Sequence, residues 1–491
     1  MPREMKSHQD IHDYIIAIES DFPVDTWSVN GIHVWPYIRI KIYYTLIHLV
    51  EGTSKLKPYK KHQKKNAGFF KRLKPKFFEL FYYLNSIQRQ TCQQVMFATL
   101  SLYRVGYDGL FFHKFFDAMI KAHHLEGKTT IIEIQGIRAN SYNQTGLIDG
   151  ISLRNGHKIL NRLTRWLPQY KTSSIECNLP LYDSFFERIL EDSCIGTNLD
   201  LEKDSIVKWA NKVKATSIVY KKLFEKRRTQ RFVTISYYGF DDMAAALFAA
   251  NSLGVETVDF QHGPQTNVHM AYSSWTRMPK NGFNTMPKVY WNWDQKSKEH
   301  LSSWWKLMDG SKIIGHPWLA MTQSENQFYK NCDFLYTLQL INESNFKYFF
   351  PEQILKLMRQ DCFSWILRIH PRNGTGINLI QEFLQKNNVP QEHYSIENPS
   401  TIPLATSLKS CGMHITNYSG CLIEASILKK QTIIIDQTGY LFFKNYIDNE
   451  LVYFLDKHKD NFSDRVIEIY TSRKTAKKNI KLEIFNPFTG L

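Results

Sequence analysis

Two apolar runs of the chain each break into a histidine: Val255 to Phe260 leads to Gln261-His262-Gly263, and Trp365 to Ile369 leads to His370-Pro371-Arg372. Short runs rich in β-branched and aromatic residues, closed by Gly or Pro, read as buried strands ending in loops, where α/β proteins place their chemistry. A third run, Met413 to Thr416, passes through Asn417-Tyr418-Ser419-Gly420 into the helix-like segment Cys421 to Leu428. A strand, a tight turn and a helix start form a unit that binds phosphate, because unpaired backbone N–H groups and the positive end of the helix dipole face the anion. Ser419 is placed to cap that helix, and Gly420 leaves the N–H groups accessible. Glu424 falls about one turn further on, where a carboxylate accepts hydrogen bonds from ribose hydroxyls.

His370 and Arg372 follow a strand of the same expected sheet, and Pro371 fixes the turn between them. An imidazole donor and a guanidinium beside one phosphate neutralise a departing nucleotide without a divalent cation. The sequence contains no Asp-x-Asp pair, the spacing many sugar transferases use to hold a metal on a diphosphate, so neither metal nor other cofactor is expected. The plainer readings are a capping serine, a solvated Glu424 and a core histidine bonded to backbone.

Gln261-His262-Gly263 precedes Pro264 to Pro287, a segment rich in Asn, Ser, Met, Tyr and Trp with no clear period. Such a stretch after a strand is expected to be a loop that closes over substrate. Gly263 permits a sharp turn, which aims Gln261 and His262 into a cleft. Histidine titrates near neutral pH and suits contact with a sugar or acceptor, or proton transfer. The general base stays open among His262, Asp241, Asp242 and Asp117.

The elements that must position these residues follow from periodicity. Val95 to Leu100, Thr129 to Ile134, Phe232 to Ser236, Glu256 to Phe260 and Val289 to Trp293 are strand candidates, with an alanine-rich helix at Asp241 to Leu253. A second series is more regular, with strands at Phe334 to Leu338, Ser364 to Ile369, Met413 to Thr416, Thr432 to Asp436 and Leu451 to Leu455. Helical segments at Pro351 to Gln360, Asn378 to Asn387, Ile402 to Lys409 and Cys421 to Leu428 separate them. Each rhythm implies a mostly parallel sheet with helices on both faces. Asn140 to Leu179 reads as loop and short helix. Near the start, Trp35, Ile38, Ile42, Leu46 and Leu49 repeat at the spacing of one helix face, with Pro36 in its first turn. Neither series holds G-x-G-x-x-G or a Walker P-loop, which removes the main support for an oxidoreductase or an ATPase.

With 491 residues, 43% hydrophobic and 14% aromatic, the chain has material for two cores. Its seven cysteines are scattered and never spaced as C-x-x-C, against a disulfide framework or a zinc site and in favour of a reducing cytoplasm. Met1 to Asn30 has no apolar core of a secretory leader, so none is expected. Trp35 to Val50 carries Arg39, Lys41 and His48 and is shorter than the roughly 20 residues a bilayer requires, although it is able to lie on one.

The net charge of +16 is concentrated: Lys55, Lys57, Lys60, Lys61, Lys64, Lys65, Lys71, Arg72, Lys74 and Lys76 are interleaved with Phe69 and Phe70 and followed by Phe77, Phe78, Phe81, Tyr82 and Tyr83. Cations beside large aromatic side chains suit an anionic lipid surface, where each contributes about 1 kcal/mol. Nucleic-acid phosphates would attract the same patch, but no nucleic-acid-binding signature accompanies it, so no nucleic-acid partner is expected. A solvated loop is the plain alternative.

These residues carry a resemblance. Trp27 to Arg39, with Trp35-Pro36-Tyr37-Ile38-Arg39, then Asp259-Phe260-Gln261-His262-Gly263, Gly315-His316-Pro317-Trp318, Ile369-His370-Pro371-Arg372, and His414 to Ser419 leading to Glu424-Ala425, resemble bacterial surface-polysaccharide glycosyltransferases of the GT-B fold, found among capsule and lipopolysaccharide enzymes. The likeness runs from Trp27 to Leu455 through short motifs. The His-Pro pair is also similar to that of bacterial sialyltransferases and 3-deoxy-octulosonate transferases, which use CMP-activated acidic sugars. The resemblance implies that His370 and the Ser419 turn hold the donor phosphate and that Glu424 holds the ribose; Arg372, Thr416 and Gly420 complete the expected donor-binding set. Lys429-Lys430-Gln431 stands where related sequences often have Gly-x-Pro, and Tyr418-Ser419 where two adjacent serines often bind phosphate, which leaves the donor open. A similar His-Gly and Ser-x-x-x-x-Glu arrangement occurs in CDP-glycerol-type polyol phosphotransferases.

The expectation is therefore an α/β, GT-B-like chain of two Rossmann-like domains facing across a cleft. A helical basic-aromatic region at 1–90 precedes an acceptor-side domain at 91–325 and a nucleotide-donor domain at 326–491. The expected activity is metal-independent transfer of a sugar from a nucleotide-sugar donor to a lipid-linked or glycan acceptor, by a cytoplasmic protein peripheral on the inner membrane face. The rivals are the polyol phosphotransferase and a non-catalytic protein that binds nucleic acid or an anionic glycan.

Overall fold

The computed structural model describes residues 5–50, 92–100, 103–133, 141–142, 149–152, 176–192, 199–307, 309–323, 331–371, 373, 376–399, 401–473 and 482–488. Contacts divide the chain into two units, Met1–Asn292 with Ser297–Ile313 and Phe488–Leu491, and Trp293–Lys296 with Ile314–Pro487.

The first unit is built on seven strands: β1 (Val95–Thr99), β2 (Thr129–Glu133), β3 (Asp149–Ser152), β4 (Arg231–Thr234), β5 (Glu256–Phe260), β6 (Val289–Asn292) and β7 (Ser311–Ile313). Their order is β7-β6-β5-β4-β1-β2-β3 and every pair is parallel. All residues of β1 and β2 are buried, as a parallel sheet covered on both faces demands. Beside it pack α1 (His8–Asp21), α2 (Trp35–Val50), α3 (Lys203–Arg227) and α4 (Asp241–Ser252). Ala245, Ala246, Ala249 and Ala250 are fully buried on α4, and their small side chains let α3 approach closely. Ser7 starts α1 as a capping box with Asp10.

The helix face read from the sequence is the buried face of α2: Trp35, Ile38, Ile42 and Leu46 are inaccessible to solvent. That helix belongs to the core of the first unit, which corrects the expectation that it is free to lie on a membrane. Arg39 is buried too. Its Nε lies 3.1 Å from a carboxylate oxygen of Glu19, its Nη2 donates to the carbonyls of Ser273 and Ser274 at 3.0 Å, and its guanidinium lies 4.0 Å over the Trp275 ring. Glu19 also accepts from the Thr276 N–H at 2.9 Å. The stretch from Pro264 to Pro287 is thereby pinned to α1 and α2, and its Val268, Met270, Tyr272, Trp275, Phe283 and Met286 are buried. It is a structural layer and not the closing loop its polar residues led us to expect.

The second unit has six strands, β8 (Cys332–Thr337), β9 (Trp365–Arg368), β10 (Tyr394–Glu397), β11 (Cys411–Thr416), β12 (Thr432–Ile434) and β13 (Val452–Phe454). They run parallel in the order β10-β9-β8-β11-β12-β13. Its helices include α5 (Pro317–Gln323), α6 (Leu404–Ser410) and α7 (Cys421–Ile427). Arg368 and Glu397 face each other across β9 and β10 as a buried ion pair, and Ser407 on α6 donates to Glu397 at 2.6 Å. This fixes the register of an edge strand. The division between units falls at Ile313–Ile314, ahead of residue 325, because Leu319 on α5 joins the apolar cluster of Leu335, Leu404 and Leu408.

Each unit is therefore a doubly wound, Rossmann-like α/β sheet. Strand β3 lies within the segment read as loop and short helix, and β10 and the hairpin Arg104–Tyr107/Leu110–His113 were not read as strands at all. Among the described residues no helix is long and apolar enough to cross a membrane.

Candidate functional site

An open parallel sheet binds ligands beyond the carboxyl ends of the two strands at which the winding reverses. In the second unit those strands are β8 and β11. Thr416, the last residue of β11, ties them together: its hydroxyl donates to the Thr337 carbonyl at 3.3 Å and accepts the Ser419 N–H at 2.9 Å. The turn Asn417 to Gly420 is thus anchored at the point of reversal. Ser419 Oγ accepts from the Cys421 N–H at 3.3 Å and its carbonyl accepts from Leu422 N–H at 3.2 Å, a turn that leads into α7; the N-cap itself is Gly420, with no side-chain cap, which corrects the expected Ser419 cap. Gly420 has φ −58°, a helical value that needs no glycine.

Glu424 follows in the first turn of α7 with its side chain 17% exposed, and its Oε1 lies 3.4 Å from His316 Nε2. His316 is buried, and its ring sits 4.1 Å from the Trp293 ring. His370 is half-buried on the turn after β9, where its carbonyl accepts from Asn373 N–H at 2.8 Å. Because β9 neighbours β8, His370 and the Ser419 turn emerge from the same edge with β8 between them, roughly 10 Å apart by strand spacing. Arg372 lies outside the described residues. His414, by contrast, sits inside β11 between the Thr337 and Thr432 hydroxyls at 2.8 and 3.1 Å. Burial, reinforced by Lys430, pushes its pKa down to about 3, so it is a neutral core imidazole.

A buried lysine at this edge was not read from the sequence. Lys457 is inaccessible to solvent, and its ammonium donates to the Tyr348 carbonyl at 2.8 Å, Asp436 Oδ2 at 2.8 Å and Asn417 Oδ1 at 3.4 Å. Its three protons are all used, so it braces the turn from beneath. Burial lowers the Lys457 pKa, partly offset by Asp436. For Asp436, burial alone would raise the pKa, but the hydrogen bond and charge of Lys457, with the Thr438 N–H, carry it below the usual range. Gly439 approaches so closely that a Cβ there would lie 1.9 Å from the Asn417 carbonyl oxygen.

In the first unit the winding reverses between β1 and β4. Just past β4, Ser236 holds a left-handed backbone, φ 55°, a conformation that a serine adopts only under constraint. Its hydroxyl is 2.7 Å from His262 Nε2 and 3.5 Å from the Tyr103 hydroxyl. His262 follows β5, its ring 5.9 Å from that of Tyr103, and its Nδ1 is buried with no hydrogen-bond partner among the described residues. Burial, with His269 and Lys114 nearby, pushes its pKa down to about 3. Gln261 is fully buried and donates to Ser297 Oγ at 3.0 Å, so its side chain turns into the core and away from any cleft. Gly263 has no left-handed φ, and a Cβ there would meet nothing.

Asp241 begins α4 with its carboxylate engaged by the Trp209 indole N–H at 2.9 Å and by Lys212. Asp242 beside it is half-buried. Asp117 is buried against Arg104 at 2.8 Å and the His113 N–H at 2.7 Å, with burial raising its pKa to about 6 against the pull of Arg104. Asp259, also buried, accepts from Tyr272 OH at 2.7 Å, Tyr237 N–H at 3.1 Å and Thr234 Oγ1 at 3.2 Å, and burial raises it to about 7. The first-unit candidates thus separate into His262 with Ser236 at the strand edge, and Asp117 and Asp241, whose carboxylates are already engaged by protein donors.

Lys60, Lys61, Lys64, Lys65, Lys71 and Arg72 fall outside the described residues. Among those that are described, no group of three or more His, Cys, Asp or Glu side chains is arranged to hold a metal ion.

No protein-family model matches the sequence, and no curated protein is similar to it. Solved structures share a distant likeness. The UDP-GlcNAc 2-epimerase of Neisseria meningitidis, bound to UDP-GlcNAc, aligns with a TM-score of 0.43 at 11% identity over 77% of this chain and 91% of its own. The S. aureus MnaA–UDP co-structure aligns with a TM-score of 0.42 at 10% identity, over 76% and 87%. The spinosyn rhamnosyltransferase SpnG aligns with a TM-score of 0.40 at 10% identity, over 77% and 92%.

Proposed function

We propose that the chain is a GT-B-type glycosyltransferase that takes a nucleotide-activated sugar in its second unit and transfers the sugar to a glycan or lipid-linked acceptor. The observation that carries the reading is the convergence of the Ser419 turn, Glu424 and the His370 turn on the carboxyl edge of β8, β9 and β11, where the sheet reverses. In this reading the donor phosphate lies against the Ser419–Gly420 turn, His370 donates to it as negative charge grows on the departing group, and Glu424 accepts from the ribose hydroxyls. The acceptor oxygen attacks the anomeric carbon, the bond from that carbon to the phosphate oxygen breaks, and the acceptor proton passes to a base.

We assign the base to His262 rather than to Asp241 or Asp242. Asp241 already receives an indole N–H and a lysine. His262 is unprotonated at neutral pH and has one ring nitrogen without a hydrogen-bond partner among the described residues. A bound hydroxyl would donate to that nitrogen, a contact that favours the neutral, accepting ring. Membrane association is assigned to the basic stretch Lys55 to Lys76.

The test is a thermal-shift screen of the purified chain against CMP, CDP, UDP and GDP, followed by product assays with the matching sugars and with CDP-glycerol. A ligand at 100 times its dissociation constant adds about 2.7 kcal/mol. His370→Ala is expected to lower turnover by about 100-fold or more while binding persists. Glu424→Ala is expected chiefly to weaken nucleotide affinity. Glycerol phosphate transfer without sugar transfer would reassign the chain to the polyol class, and stabilisation by no nucleotide would remove the reading.

A further inference from the structure

We propose that His316 is a positioning residue for ribose recognition, holding one oxygen of Glu424 so that the other faces the cis-diol of a ribonucleotide. The inference rests on the reading of the second unit as the nucleotide site and deepens it. His316 Nδ1 accepts the Leu319 backbone N–H at 3.3 Å. A neutral imidazole that accepts at one nitrogen carries its proton on the other, so Nε2–H is the donor facing Glu424 Oε1 at 3.4 Å. The ring itself is held: His316 is 3% exposed, packs against the Trp293 ring at 4.1 Å, and starts the turn into α5 through Pro317.

Glu424 has no other side-chain partner among the described residues and remains partly open to solvent. One carboxylate oxygen therefore lies against the imidazole, close but out of line for a hydrogen bond, and the other has capacity to accept. A carboxylate fixed before binding does not lose rotamer freedom when a ligand arrives. Two diol hydroxyls need an acceptor whose plane is set, and a freely turning glutamate does not set it. The 3.4 Å contact is expected to shorten and align into a hydrogen bond in the nucleotide complex.

The test measures dissociation constants for paired ribonucleotides and 2′-deoxynucleotides, UDP with 2′-deoxy-UDP and CMP with 2′-deoxy-CMP, on wild type, His316→Ala, His316→Gln, Glu424→Ala and the His316→Ala/Glu424→Ala double variant. Wild type should prefer the ribose form by at least about tenfold, the loss that one hydrogen bond to a charged group implies. His316→Ala should erase most of that preference by weakening the ribose form alone, His316→Gln should restore part of it, and the histidine change should add nothing once Glu424 is alanine. Equal weakening of ribose and deoxyribose forms, or the same loss in the Glu424→Ala background, would overturn the proposal. Tight binding of both forms by wild type would overturn it while leaving the nucleotide reading in place. Failure of every nucleotide to bind wild type would remove both. Should His316→Ala not fold, the His316→Gln and Glu424→Ala comparison decides the matter: an unchanged ribose preference in both refutes the role.

Discussion

Ser236 Oγ lies 2.7 Å from His262 Nε2, joining the ends of β4 and β5 at the carboxyl edge of the first sheet. The serine reaches the imidazole from a left-handed backbone that serine does not favour, and only a surrounding structure that over-determines the position sustains it. His262→Ala is expected to lower turnover by about 100- to 10,000-fold, the range of general acid–base catalysis, with the far-UV circular dichroism unchanged. Ser236→Ala should cost less, because the ring keeps its packing. With a base whose pKa is about 3, kcat/KM should be flat from pH 5 to 8, and an acid limb near pH 6 to 7 would place the base elsewhere.

Lys457 and Asp436 form the second unit's brace. Lys457→Met leaves a mostly buried carboxylate without its cation and frees Asn417 from one contact. Breaking a buried pair from one side costs about 3 to 5 kcal/mol, so the urea midpoint should fall steeply. Adding Asp436→Asn should recover much of that loss, since no charge is then left uncompensated while the amide oxygen can still accept the Thr438 N–H. A double variant as unstable as the single one would contradict the pairing.

Acid should destabilise the chain before its carboxylates titrate. His262 and His414 are held to about 3 and His269 to about 4, in each case foremost by burial. Unfolded, each binds a proton below its usual value, so stability falls as pH drops from about 6.5 toward those values. Asp259 acts oppositely: raised to about 7, it favours the folded state at low pH and loses that contribution as pH rises through 7. Asp259→Asn should therefore make the melting temperature rise more steeply between pH 5 and 7 than in wild type, as read by calorimetry.

Neutralising five of the lysines between Lys55 and Lys76 should release the protein from vesicles rich in anionic lipid, since each charge near the surface is worth about 1 kcal/mol. Activity on a water-soluble acceptor should persist. Cosedimentation measures the first and product formation the second, and unchanged vesicle binding would exclude this stretch as the anchor.

The sequence made the central strands legible, because a strand with neighbours on both sides and helices on both faces is a nearly continuous apolar run, as in Val95–Thr99. The edge strand Val452–Phe454 was read, but the opposite edge was not: Tyr394–Glu397 is half-polar, and what holds it is the Arg368–Glu397 pair, which no local pattern announces. The turn after Thr416 was readable from its Ser-Gly and the helix that follows. Lys457, Asp436 and Ser236 were not, since the packing that makes a lysine or a serine significant comes from strands distant in sequence. Tyr237 and Tyr238 after β4 were one available hint that its end is enclosed. The stretch from Pro264 to Pro287 misled through its polar residues, whereas its tryptophan, tyrosines and methionines carried the better signal of burial.

The clasp of Arg39 on Trp275, Ser273 and Ser274, with Glu19 on Thr276, has a practical bearing on expression. A shortened protein starting beyond residue 50 would strip two helices from the apolar cluster they share with the sheet. It would also expose Trp275, Phe283 and Met286 to water, a large greasy surface of the kind that drives precipitation. Trimming to obtain a minimal soluble form should begin elsewhere.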